Sequence, residues 1–150
     1  MLRHGRPDQE FLMLRSLFAI VSGLFAMMIV ITFSELANAK FFFPLPAGLD
    51  LNDAATVAAY AATMPASAMA AVLAGWLLGA FIGAGVAAKI AEHYRLGCAL
   101  LIGAIDVALT AMNALSIPHP AWVIAAGVLL PIPLAWLAAT LVQKGFARTR

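Results

Sequence analysis

The alternation of apolar and polar positions divides the chain into four long hydrophobic stretches joined by short polar breaks. The first, 16–39, stays apolar as far as Glu35. At about 1.5 Å of helical rise per residue, its roughly 20 apolar positions suffice to cross a hydrocarbon core of roughly 30 Å. Stretches of similar character follow at 65–91, 97–115 and 121–142. The pattern predicts an all-α polytopic membrane protein: a single integral-membrane domain over 1–150 with four transmembrane helices, polar tails at 1–15 and 143–150, and one long connection at 40–64.

That connection opens with Phe41, Phe42, Phe43, Pro44, Leu45 and Pro46. Interfacial aromatics followed by two prolines stop the first helix and force an extended path. Asp50 or Asn52 can then cap a short alanine-rich helix over 52–63. Continued into the next span without interruption, the helix would cover 54–91, roughly 57 Å by the helical rise, which is too long for one crossing. A break is therefore expected at Pro65, leaving the short helix on the outer surface as a lid anchored by Tyr60.

Within 65–91, Ser67, Ala71, Gly75, Gly79, Gly83 and Ala87 recur at strict four-residue spacing. On a helix they form one ridge almost free of side-chain bulk, the kind of surface on which membrane helices approach closely. A helix-packing role follows, with the partner left open: the protein's own bundle, a second copy or a different protein. In 121–142, Pro131 and Pro133 remove two backbone donors and predict a helix kink near the midplane.

Composition agrees with the pattern: 64% of the residues are hydrophobic, 11% are charged and mean hydropathy is +0.97. The formal net charge of +2 is no nucleic-acid footprint, because the basic residues sit at the ends of the apolar stretches and form no patch beside aromatics. Eight of the nine (Arg3, Arg6, Arg15, Lys89, Arg95, Lys144, Arg148 and Arg150) fall on one side and only Lys40 on the other. The positive-inside rule then places both termini in the cytoplasm. Ala37, Asn38 and Ala39 resemble a leader-peptide cleavage site, but the preceding apolar run is longer than a leader's, so the first helix is expected to be retained. The lone Cys98 excludes an internal disulfide or a cysteine-based metal cage, and reads as a packing residue.

Candidate chemistry is confined to a few intramembrane polar residues. Asp106 lies near the middle of the third span, and Gly103, Asp106, Thr110 and Asn113 share one helical face. No Lys or Arg lies at that depth, so the carboxyl is expected to be protonated and hydrogen-bonded between helices, or else to relay protons or cations. Glu35, Asn38, Asn113 and His119 form a second expected cluster towards the outer end of the bundle. His119 lies between Pro118 and Pro120 in a rigid turn before Trp122, a residue of the interfacial belt. His4 and His93 belong to the opposite side, which argues against a bis-histidine haem or a three-histidine metal site. No catalytic residues are assigned: there is no phosphate-binding loop, zinc-protease or dinucleotide motif, and no acid is evident to orient His119 beside Ser116. No metal and no cofactor are expected.

The run 44–50 (PLPAGLD), the run 75–81 (GWLLGAF) and the segment from Asn113 through 117–122 (IPHPAW) resemble a group of small, uncharacterised four-span bacterial inner-membrane proteins. The resemblance covers nearly all of 16–142. It implies four spans and a bacterial inner membrane, and it carries no activity. The leading functional expectation is a non-catalytic helix-packing subunit, an accessory or assembly component of an inner-membrane complex or a homo-oligomer, docking through the small-residue ridge. The alternatives are a small proton- or cation-linked transporter using Asp106 and Glu35, and a lipid or quinone binder or enzyme at the outer cluster. Expected partners are membrane lipid and other membrane subunits or further copies, without nucleic acid.

Overall fold

A computed structural model of the protein describes residues 7–50 and 52–148, which among themselves form helices and connecting turns with no strand. Four helical stretches are long and apolar enough to cross a membrane. Helix α1 (Pro7–Ala37) begins well before residue 16, so most of the expected tail at 1–15 is helical and only 1–6 lie outside the described residues. The reason is local: Pro7 opens the helix with φ preset and no N–H to lose, and apolar positions continue back to Phe11. At the other end, α6 (Pro131–Arg148) likewise runs through most of the expected tail at 143–150, with 149–150 outside the described residues.

Beyond Ala37 the first helix widens into a π-helical turn, Asn38–Phe42, closed by a 2.9 Å bond from the Phe43 N–H to the Asn38 carbonyl. Phe43 is driven into an extended conformation by the proline after it. A turn over 46–49 follows, with Leu49 N–H bonded to the Pro46 carbonyl and Gly48 at φ +81°, the left-handed position that such a turn reserves for glycine. Helix α2 (Ala54–Ala62) is capped by Asp53, not by Asp50 or Asn52. The Asp53 carboxylate accepts from the Ala55 N–H at 3.1 Å and from the Thr56 hydroxyl, while the Asp50 side chain is engaged by the Asn52 N–H at 2.9 Å. Pro65 separates α2 from α3 (Ala66–Ile90) with an extended ψ of 156°.

Helix α3 is the centre of the bundle, packing against α1, α4 (Arg95–Ser116) and α6. Its small-residue ridge meets α1 of the same chain. A Cβ added at Gly83 would lie 2.6 Å from the Gly23 carbonyl oxygen, and one at Gly23 would lie 2.7 Å from that of Gly83. The same seam continues through Gly79 against Met27 and Ile31 and through Gly75 against Ser34. Ala87 is buried in it, whereas Ala71 is half-buried and Ser67 is exposed. From Gly75 to Ala87 the ridge is thus occupied internally by α1.

The fourth span is two helices, α5 (Ala121–Leu129) and α6, interrupted at Leu130 immediately before Pro131. Gly103 of α4 accommodates the break, since a Cβ there would lie 2.9 Å from the Ala135 side chain and 3.0 Å from the Pro131 carbonyl. Arg15 of α1 closes one end of the bundle by donating to the Ile90 carbonyl, at the C-terminus of α3, and to Glu92, both at 2.8 Å. A cation at the negative end of a helix dipole is favourably placed.

Candidate functional site

At the end of the bundle that carries α2, the structure encloses a cavity of about 360 Å³. Its floor is Met69, Val72 and Trp76, which recur at helical spacing on α3; its roof is Val57, Tyr60 and Ala61 of α2 with Met64. Tyr60 holds this lid in place. Its hydroxyl donates to the Phe43 carbonyl at 2.9 Å, and the two rings stack with centroids 5.0 Å apart. Burial raises the Tyr60 phenol above its ordinary value, so the hydroxyl keeps its proton and remains a donor throughout the physiological range.

Glu35, Asn38, Asn113 and His119 all line this cavity, although they come from α1, the π-turn, α4 and the turn before α5. Asn38 is only 4% exposed, and its side-chain oxygen has no hydrogen-bond partner. A buried acceptor without a donor is costly, by about 1–3 kcal/mol, and needs an explanation. His119 approaches the Trp76 ring at 5.5 Å between centroids, while its Nδ1 lies 2.8 Å from the Ile117 carbonyl. A carbonyl oxygen only accepts, so Nδ1 carries the proton.

A smaller cavity of about 170 Å³ lies beside the first and shares Glu35, Trp76 and Asn113 with it. Asp106 and Thr110 line this inner cavity together with Met28, Ile31 and Leu109. Asp106 is 2% exposed, and its Oδ2 has no partner. Thr110 is buried against Gly127, where an added Cβ would lie 2.9 Å from the threonine methyl. Glu35 and Asp106, assigned to different depths on helical rise alone, therefore border one common space. Pro131 and Pro133 line neither cavity.

The aromatic wall formed by Phe43, Tyr60 and Trp76 is absent from the residues the sequence singles out as a site. The signal was present in the 69, 72, 76 spacing, but on a helix that is apolar on every face it looks like ordinary core. A shallower depression at the opposite end, about 400 Å³, is lined by Ser16, Tyr94, Cys98 and apolar neighbours, with no charged group among the described residues. Among the described residues, no group of three His, Cys, Asp or Glu side chains could hold a metal ion. Ser116 donates to the Met112 carbonyl at 3.3 Å and lies outside the lid cavity, so it forms no nucleophile–base pair with His119. Comparison with known proteins finds no matching family model, no matching curated protein and no matching solved structure.

Proposed function

We propose that this protein is a non-catalytic binder of an amphipathic, lipid-like molecule, held in the cavity beneath α2. The observation that carries this reading is a largely apolar cavity of about 360 Å³ in whose wall four polar side chains from separate elements, Glu35, Asn38, Asn113 and His119, converge. A pocket of this size, mostly apolar with a few converging polar groups, is the usual form of a small-molecule site. The test is native mass spectrometry of protein released from its own membrane in mild detergent. Wild-type protein is expected to carry an added small-molecule mass, and Ala61→Phe, which fills the cavity from its roof, to lose it. No added mass on the wild type, or equal mass on both, would refute the reading. The setting we infer is a bacterial inner membrane with both termini cytoplasmic and α2 outside. A partner subunit or second copy has exposed apolar surface to use on α1, at Phe11, Phe18 and Phe25, and on α5 and α6, at Leu129, Trp136 and Leu141, all of which lipid alone also satisfies.

A second reading, proton- or cation-linked transport, is favoured by the unpartnered Oδ2 of Asp106 in the inner cavity. Asp106→Asn keeps the shape and removes the ionisation. In proteoliposomes, a carrier is expected to lose pH-driven flux in this variant, whereas a binder shows no such flux with either side chain and retains its ligand.

A further inference from the structure

We infer that the molecule held beneath α2 presents an organic ammonium group to the cavity; this rests on the binding reading above. The inference comes from which polar groups in the wall are already engaged and which are not. The Tyr60 O–H is committed to the Phe43 carbonyl and the Nδ1 proton of His119 to that of Ile117. The wall also carries one acidic side chain, the exposed Glu35, beside the neutral Thr32, Asn38 and Asn113. No Lys or Arg among the described residues lines the cavity. Lys40, the nearest cation in sequence, lies over the Phe41 ring at 5.5 Å to its centroid.

Three aromatic rings, Phe43, Tyr60 and Trp76, complete the wall. Their faces attract a cation, most strongly when water is excluded. A phosphate head would meet the Glu35 carboxyl with no cation among the described lining residues to receive it. An ammonium would meet that carboxyl and an aromatic lining. The same reasoning separates a lipophilic amine from an aminophospholipid, whose phosphate the cavity cannot pair.

The test uses the full chain in dodecyl maltoside with Trp122→Phe and Trp136→Phe, both exposed positions, so that Trp76 is the remaining indole. Its fluorescence is titrated with four single-chain amphiphiles: decyltrimethylammonium, decylglycerol, decyl phosphate and a lysophosphatidylethanolamine. The ammonium is expected to saturate about tenfold below the others, the scale of a cation–π contact together with an ion pair. Glu35→Gln is expected to erase most of that preference, with a helical circular-dichroism spectrum and an elution volume matching wild type showing that the variant is folded. Saturable binding with equal affinities, a preference for phosphate, equally tight lysophospholipid, or a preference that survives Glu35→Gln would each overturn the ammonium assignment while the binding reading stands. Saturation by none of the four would remove both.

Discussion

Gly83 and Gly97 occupy opposite extremes of packing on neighbouring helices. A methyl group at Gly83 would meet the backbone oxygen of Gly23 at 2.6 Å, which cannot yield without moving α1, whereas nothing lies within 4 Å of a Cβ at Gly97. Gly83→Ala is therefore expected to destabilise the folded protein by about 1–3 kcal/mol, as overpacking does. Gly97→Ala is expected to be neutral or stabilising by about 0.4–1 kcal/mol through the unfolded chain. Reversible unfolding in mixed micelles measures both, and equal losses would disprove the close crossing. The four-residue spacing of the ridge was readable in the chain because it is a local property. Its partner was not, because the groove built from Gly23, Met27, Ile31 and Ser34 has no small-residue repeat of its own to mark it. The same limit applies to Asp106 and Glu35: helical rise measures depth along one axis and says nothing about the lateral opening that both side chains border.

Helix α2 depends on a single carboxylate at its start. The Thr56 hydroxyl, and then the Ala55 N–H, hold the Asp53 pKa below its ordinary 3.8. Because the folded value is depressed, the cap stabilises α2 above the ordinary carboxylate value and is lost as pH falls through the depressed one. Backbone chemical shifts over 54–62 are expected to stay helical at pH 5 and to drift towards coil below 3.8. Asp53→Asn, which caps without ionising, is expected to abolish that drift; an unchanged acid transition in the variant would assign it elsewhere. The existence of α2 and the break at Pro65 followed from alanine content and proline alone. The cap did not, since Asp50, Asn52 and Asp53 are equally competent on chemistry and the turn preceding the helix selects among them. The π-turn after Ala37 was equally hidden: it adds one residue to a turn that the Phe43–Pro44 stop would otherwise have ended sooner.

The charged ends of the bundle can be checked directly. Arg15, Lys89, Arg95 and Lys144 gather at the end opposite α2, with Lys40 at the α2 end. A reporter active only outside the cytoplasmic compartment is expected to be silent when fused after Arg150 and active when inserted near Asn52. The reverse pattern would invert the orientation and place the ligand cavity on the cytoplasmic side.

The seam between α1 and α3 also has a meaning in time. Ribosomes deliver the chain from its N-terminus, so α1 and α3 reach the membrane before α4 does. Between Arg15 and Glu35 helix α1 carries no charged side chain, and α3 carries none before Lys89, so each can enter lipid unassisted. Helix α4 cannot do so as cheaply: Asp106 at mid-membrane costs about 2.5–3.5 kcal/mol on insertion scales. The walls it finally faces, Met28 and Ile31 of α1 and Trp76 of α3, belong to the two helices already waiting. The order of the helices along the gene is thus also an order of assembly, in which shelter is built before the residue that needs it arrives.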